Sequence, residues 1–137
     1  MKQVLLDTSY LFYIMVNPSK LSDSVRRTLS STVATFHVSA VSIWEMRLKY
    51  NACNPSGDRK SHFSPMDVLE VIEDQNVKFL HLGMNHAACP LKIPLNHKDP
   101  FDELLLVQAQ EEGLRLLTVD KMLTGHPLVI SAEELKA

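Results

Sequence analysis

The chain has 137 residues, of which 45% are hydrophobic and 22% are charged, and its formal net charge at pH 7 is −2. These values predict one globular domain spanning residues 1–137 and exclude a chain that is mainly disordered. They also argue against a protein that binds nucleic acid over a broad basic face, while local contacts to nucleic acid stay open.

Three absences in the sequence indicate where the protein works. No apolar run approaches the about 20 residues of a membrane-spanning helix. The first residues do not resemble a signal peptide, because Asp7 interrupts their apolar run and no small-residue cleavage site follows. The two cysteines have no CxxC partner, which indicates neither a disulfide framework nor a zinc site. We therefore expect a protein of the reducing cytoplasm with no membrane partner.

Short apolar runs alternate with helical patterns along the chain. In order, the patterns predict a strand at residues 3–6, helices at 10–16 and 23–31, a strand at 35–38, helices at 41–51 and 65–75, a strand at 77–82, helices at 84–89 and 100–112, and strands at 114–119 and 128–130. Continuous apolar strands separated by helices are typical of a parallel sheet buried on both faces. We predict an α/β fold with a short, mostly parallel central sheet of about five strands, flanked by helices on both faces.

The clearest local signals surround the 100–112 helix. Asp99 is a suitable N-cap, Pro100 suits the first helical position, and Gly113 follows the last one. The polar segment 54–64 contains both proline and glycine and is predicted to be a surface loop.

Two carboxylates directly follow predicted strands. Asp7 comes after the first strand, and Asp120 comes after Thr118-Val119. Open α/β sheets bind ligands beyond the carboxyl ends of their strands, and neighbouring strands lie about 4.8 Å apart. The two carboxylates therefore share one edge if their strands are neighbours. The alternative is that each acid is a local cap, Asp7 for the next helix and Asp120 for a turn at residues 121–123.

Asp102 heads an apolar stripe. With Leu105, Leu106 and Ala109 it shares one helical face at i, i+3, i+4 and i+7 spacing. A carboxylate on an inward face is costly unless it is paired or bound to metal, which favours a functional role. The alternative is a favourable interaction with the helix dipole, since Asp102 lies at the third position of the predicted helix.

Glu45 interrupts a similar stripe. Val41, Glu45, Leu48 and Ala52 are predicted to line one face of their helix. The alternative is a capping box between Ser42 and Glu45, which would start the helix later and leave Glu45 exposed.

Taken together, the four acids predict one pocket. Four close carboxylates repel one another, so such a pocket is stable only with bound cations or protons. Because no cysteine or histidine set accompanies them, the expected ions are hard and prefer oxygen, which means Mg²⁺ or Mn²⁺. Acidic pockets that hold these ions typically act on phosphate esters.

Three segments carry a family resemblance through their order and spacing. They are LLDTS at residues 5–9, SAVSIWEM at 39–46, and HKDPFDELLLVQAQEEGLRLLTVD at 97–120. On these residues nearly the whole chain resembles the PIN-domain family, and in particular the VapC-type toxins of bacterial toxin–antitoxin pairs. The resemblance implies a metal-dependent ribonuclease whose catalytic residues and Mg²⁺ or Mn²⁺ ligands are Asp7, Glu45, Asp102 and Asp120.

The resemblance also implies an activity and partners. It predicts an endoribonuclease that hydrolyses RNA phosphodiester bonds with metal-activated water, acts on RNA such as tRNA, forms a homodimer and is silenced by a small antitoxin. Thr118 matches a family hydroxyl that supports the acids, and Lys98 and Lys121 are the expected phosphate contacts. Glu103 stands where arginine is common, and segment 51–61 looks longer than usual, which bears on target choice.

Two alternatives to a nuclease stay open. A non-catalytic PIN-like module would bind RNA or protein without turnover. An aspartate-based phosphatase also has an aspartate after its first strand, but it needs a second aspartate two residues later, where this chain has Ser9. Within the proposed site, Asp99 is predicted to be an N-cap rather than a fifth metal ligand.

Overall fold

The computed structural model describes residues 2–15, 18–31, 34–51, 64–73, 77–96 and 99–136. The strands in these ranges are β1 (Lys2–Leu6), β2 (Ala34–Ser39), β3 (Val77–Leu80), β4 (Arg115–Leu117) and β5 (Val129–Ile130). The helices are α1 (Thr8–Met15), α2 (Asp23–Ser31), α3 (Ala40–Asn51), α4 (Pro65–Glu73), α5 (Met84–Ala88), α6 (Pro100–Glu112) and α7 (Ala132–Lys136), with 3₁₀ turns at Pro18–Lys20 and Lys121–Leu123. No helix in the described ranges has the length and apolar character needed to cross a membrane.

The strands form one sheet in the order β3-β2-β1-β4-β5, and every neighbouring pair is parallel. In the central strand β1, Val4, Leu5 and Leu6 are each at most 2% exposed. Val4 and Leu6 belong to one core with side chains of α1, α4 and α7, whereas Leu5 belongs to a second core with side chains of α6. Successive strand residues point to opposite faces, so both faces are covered. The predicted α/β fold with a short parallel sheet is confirmed.

Several predicted bounds shift at the carboxyl edge of the sheet: β2 ends at Ser39 instead of 38, and β3 ends at Leu80 instead of 82. Two further shifts involve Asp7. α1 begins at Thr8 instead of residue 10, because the Asp7 side chain caps it directly from the end of β1. β4 is three residues long instead of six, since the chain leaves the sheet at Thr118, whose hydroxyl bonds to Asp7. The predicted loop at 54–64 lies outside the described residues except for Ser64, which caps α4.

α7 is a helix that the sequence patterns did not predict. It begins with a capping box in which Ser131 Oγ accepts from the Glu134 N–H at 3.1 Å and Glu134 Oε1 accepts from the Ser131 N–H at 3.2 Å. Ala132 and Leu135 are its buried residues. A serine followed three residues later by glutamate is a recognised start signal, and it could have identified this helix.

Gly113 ends α6 in the left-handed conformation. Its φ is 69°, and its N–H donates to the carbonyl of Ala109. An added Cβ would meet nothing within 4 Å, so the cost of a side chain here is backbone strain alone. We expect Gly113→Ala to lower the free energy of unfolding in urea by about 1 kcal/mol, and Gly113→Asn to lower it by less, because asparagine tolerates this conformation. Equal losses in the two variants would contradict this explanation.

Candidate active site

Asp7 lies at the carboxyl edge of the sheet, where β1 and β4 are neighbours. It is only 5% exposed. Its Oδ1 accepts a hydrogen bond from the backbone N–H of Tyr10 at 2.7 Å, and its Oδ2 accepts one from the hydroxyl of Thr118. Asp7 is thus the N-cap of α1 and at the same time a buried carboxylate at the sheet edge, so the two predictions for it are compatible.

Thr118 connects Asp7 to Asp120. Its hydroxyl donates to Asp7 and accepts from the backbone N–H of Asp120 at 3.0 Å. The Asp120 side chain accepts from the Met122 N–H at 2.9 Å and therefore caps the 3₁₀ turn, as the alternative reading of this residue predicted. The cap does not bury Asp120 fully, since the residue remains partly exposed beside Asp7.

Burial raises the pKa of Asp7 from its usual value of 3.8 to about 6. The hydrogen bonds from Thr118 and Tyr10 act in the opposite direction, and the negative charges of Asp120 and Glu45 raise the pKa further. Carboxylates from three separate segments therefore repel one another at this edge. A bound cation or proton relieves such repulsion.

α3 brings Glu45 to this edge. The helix begins at Ala40, and the hydroxyl of Ser39 accepts from the N–H of Val41 at 2.9 Å in its first turn. The alternative of a later start with a capping box between Ser42 and Glu45 is therefore wrong. Glu45 lies in the second turn, and its side chain is 17% exposed.

The predicted apolar face of α3 is wrong at Leu48. Leu48 is 43% exposed, and Ala52 lies outside the described residues. Glu45 therefore does not interrupt a continuous apolar stripe; it borders the buried face at the sheet edge. The buried residues of this helix are Val41, Ser42 and Met46.

Two side chains that the sequence patterns did not single out hold Glu45. Its Oε1 accepts from the hydroxyl of Thr8 at 2.7 Å, and its Oε2 lies 3.4 Å from Nζ of Lys49. The contact with Lys49 could have been predicted, because residues four positions apart lie on the same helix face. The only sequence signal for Thr8 is that its hydroxyl directly follows Asp7. This signal is weaker than the spacing of Lys49, because the contact with Glu45 depends on how α1 packs on α3.

Asp102 lies at the third position of α6 and is partly buried. The other residues of its predicted face point into the core, and Leu105, Leu106 and Ala109 are each at most 1% exposed. The side chain of Asp99 accepts from the Asp102 N–H at 3.3 Å, so the predicted N-cap is present. Asp102 therefore lies in the first turn of α6, and the residues that follow it on the same face are buried and apolar.

An aromatic contact joins the helices of Glu45 and Asp102. The rings of Trp44 and Phe101 meet edge to face, with centroids 5.2 Å apart. Each ring belongs to the sequence neighbour of one of the two acids. The contact therefore packs the first turn of α6 against α3.

The donor chemistry of this edge fits a hard divalent ion. All four candidate ligands are carboxylates, and the charges of Glu45 and Asp120 raise the pKa of Asp7. Among the residues that the structure describes, no three of histidine, cysteine, aspartate or glutamate already stand in a metal-holding arrangement. Glu45, Asp102 and Asp120 are each partly buried.

We expect Thr118→Val to lower the free energy of unfolding by about 2 kcal/mol at neutral pH, since it removes the donor to a buried carboxylate and the acceptor of the Asp120 N–H. Below about pH 5 the loss should be smaller, because Asp7 is then protonated. Urea unfolding at both pH values measures this. Thr28→Val is the matched control: Thr28 is also buried, and its hydroxyl donates to the helix carbonyl of Ser24, away from Asp7 in the sequence. A loss that is independent of pH would leave Thr118 with a packing role only.

A sequence model of the PIN domain matches residues 4–125, so the chain belongs to the PIN-domain family. Several solved structures are similar to it over nearly its full length, among them the three that follow. No curated protein sequence matches the chain.

The similar structures share the fold at low sequence identity. VapBC2 from Rickettsia felis, bound to a DNA fragment from its promoter, is 14% identical with a TM-score of 0.60, and covers 94% of this chain and 96% of that one. DNA-bound VapBC from Salmonella typhimurium is 17% identical with a TM-score of 0.61, and the match covers 96% of this chain and 97% of that one. A toxin–antitoxin complex from Klebsiella pneumoniae is also 17% identical, with a TM-score of 0.61, and the match covers 94% of this chain and 97% of that one.

Proposed function

We propose that this protein is a Mg²⁺- or Mn²⁺-dependent endoribonuclease and the toxin of a toxin–antitoxin pair. The observation that supports it best is the buried carboxylate of Asp7, fixed at the carboxyl ends of two neighbouring strands in the field of Glu45 and Asp120. A purely structural cap gains nothing from being buried beside two like charges.

The chain's own residues divide the work in this proposal. Asp7, Glu45, Asp102 and Asp120 hold the ion, which when bound supplies a site for water activation and for stabilising charge on phosphate oxygens. Thr118 and the Tyr10 N–H fix the two oxygens of Asp7, so that this ligand does not have to be ordered on binding.

Lys121 is the proposed contact for the RNA backbone. It directly follows Asp120 and is exposed, so its ammonium can meet a phosphate next to the ion. Lys98, the other predicted phosphate contact, lies outside the described residues. A structured RNA such as tRNA is the proposed substrate, cleaved in the cytoplasm.

We propose an apolar groove between α3, α4 and β3 as the surface for a small antitoxin. The groove has a volume of about 690 Å³. Among its lining residues, Trp44, Met66 and Phe79 are 44%, 67% and 46% exposed, which is typical of a protein interaction site. The similar structures are VapBC or toxin–antitoxin complexes, which supports a partner of this kind. We also propose that the toxin is a homodimer, which sedimentation of the purified protein tests.

Co-expression with the protein encoded by the adjacent gene tests the groove. We expect Met66→Glu to abolish co-purification of that protein, because it puts a charge in an apolar contact. Met84→Glu is the control, since Met84 is 90% exposed and does not line the groove. Equal retention of the partner by both variants would move the interface elsewhere.

Incubation of the purified, antitoxin-free protein with total cellular RNA tests the nuclease. We expect discrete fragments with Mn²⁺ or Mg²⁺, none in EDTA, and none with Asp102→Asn. Asp67→Asn is the matched control, an exposed acid in the first turn of α4 that is not a candidate ligand. Cleavage that survives in Asp102→Asn would contradict the site. If the folded protein binds a partner but cleaves nothing with either metal, the non-catalytic module is favoured instead.

A further inference from the structure

A pair of buried hydroxyls stands between Asp7 and Glu45. Thr8 is the first residue of α1, directly after Asp7, and is 6% exposed; Ser42 lies on α3 and is fully buried. Thr8 Oγ1 lies 2.7 Å from Glu45 Oε1 and 3.0 Å from Ser42 Oγ. The hydroxyl of Thr8 therefore contacts two groups on the neighbouring helix.

The number of protons fixes the direction of these bonds. A hydroxyl has one proton to donate, and an ionised carboxylate can only accept. Thr8 therefore donates to Glu45, and Ser42 supplies its own proton to Thr8. The hydrogen bonds therefore run from Ser42 on α3 to Thr8 on α1, and from Thr8 to Oε1 of Glu45 on α3.

The two oxygens of Glu45 are held very differently. Oε1 accepts a hydrogen bond from the buried Thr8 hydroxyl. Oε2 lies 3.4 Å from Nζ of Lys49, and the Lys49 side chain is 60% exposed. An ion pair with an exposed lysine is weak, and another cation can replace the lysine. The Thr8 contact is thus the fixed one, and the Lys49 contact can be replaced.

We propose that Thr8 is a positioning residue: its hydroxyl, completed by Ser42, holds Glu45 toward Asp7 and so sets the affinity of the site for its divalent ion. This inference rests on the proposed function. Without the hydroxyl, Glu45 is free to follow Lys49 outward, and the ion loses an oriented ligand. Residues that orient metal ligands typically change metal affinity by about 10–100-fold.

Mn²⁺ binding to the RNA-free protein tests the proposal, with the unbound ion counted by electron paramagnetic resonance. We expect Thr8→Val to weaken Mn²⁺ binding by about 10–100-fold and Thr8→Ser to restore it to within about threefold. Thr28→Val controls for the loss of a buried threonine hydroxyl elsewhere. Lys49→Gln should bind Mn²⁺ as tightly as wild type or more tightly, because it removes a competing cation. Should Thr8→Val not fold, Ser42→Ala tests the same hydrogen bonds, with a weakening of about threefold to tenfold.

A double-mutant cycle with Glu45→Gln separates positioning from general damage. In the Glu45→Gln background, Thr8→Val should have no further effect on Mn²⁺ binding. The proposal is overturned if Thr8→Val binds like wild type while Glu45→Gln does not, or if Lys49→Gln weakens binding as much as Thr8→Val. If Glu45→Gln and Asp7→Asn both bind Mn²⁺ like wild type, the metal centre itself fails, and the proposed function fails with it.

Discussion

Asp7→Asn is expected to abolish RNA cleavage, by about 10³-fold or more, and yet to make the metal-free protein more stable above about pH 6. The two effects have one origin, the burial of a carboxylate that raises its pKa to about 6. A residue that costs stability in the absence of a ligand is expected at a functional site, and a residue selected only as a helix cap would not show this combination.

The sign of the stability change follows from proton binding. The native protein keeps a proton on Asp7 up to about pH 6, whereas the unfolded chain releases it near 3.8. Between these values the native state binds more protons, so the stability of the wild type falls as pH rises through this window and stays low above it. The difference corresponds to about 3 kcal/mol. Asparagine avoids this cost but matches the Thr118 hydroxyl less well, so we expect a net gain of about 1–3 kcal/mol near pH 7.5.

Urea unfolding in EDTA near pH 4 and near pH 7.5 measures this effect. We expect the variant and the wild type to be similar at the lower pH and to diverge at the higher one. Asp99→Asn is the control, because Asp99 is exposed and asparagine caps a helix equally well. Mn²⁺ at a hundredfold excess over its Kd should add about 2.7 kcal/mol to the wild type only. A variant that is less stable than wild type at neutral pH would contradict the electrostatic argument.

Gln108→Leu is expected to lower the free energy of unfolding by about 2–4 kcal/mol, although leucine suits the core by size and polarity. Gln108 is completely buried in α6. Its Oε1 accepts from the hydroxyl of Ser39, and its Nε2 donates to the carbonyl of His81 at 3.3 Å and lies 3.4 Å from His86 Nδ1. Leucine would leave the buried Ser39 hydroxyl without its acceptor and would remove the contacts with His81 and His86.

Gln110→Leu is the matched control on the same helix. Gln110 bonds to the backbone of Pro90 and Lys92 but is partly exposed, so water can replace it, and we expect a loss below about 1 kcal/mol. Both variants are compared with wild type by urea unfolding at constant m-value. Equal losses would show that burial of Gln108 adds nothing to its hydrogen bonds.

The strongest local signals predicted α6 and β1 well. Asp99, Pro100 and Gly113 define both ends of α6, and the observed helix spans the predicted residues. The apolar run in β1 predicted a central strand, and the positions after β1 and β4 pointed to the edge where Asp7 and Asp120 meet. These features depend on neighbouring residues in the sequence or on general rules for parallel sheets.

The features that the sequence did not predict depend on packing between distant elements. Leu48 has the spacing of a core residue but is exposed, because α3 turns its buried face toward Val41, Ser42 and Met46. Gln108 looks like an ordinary polar helix residue, and its burial appears only when β2 and α5 close around it. The contact of Thr8 with Glu45 likewise depends on how two helices meet, which no local spacing determines.

Trp44 is the only tryptophan in the chain, and it lies in α3 next to Glu45 with the Phe101 ring 5.2 Å away. All indole fluorescence of the protein therefore comes from one ring at the junction of two helices that carry candidate ligands. Trp44 is 44% exposed, so its emission wavelength and its quenching by solutes depend directly on how closely α6 covers it. The protein thus contains an intrinsic optical reporter of movement between these helices, and no attached dye is needed to follow it.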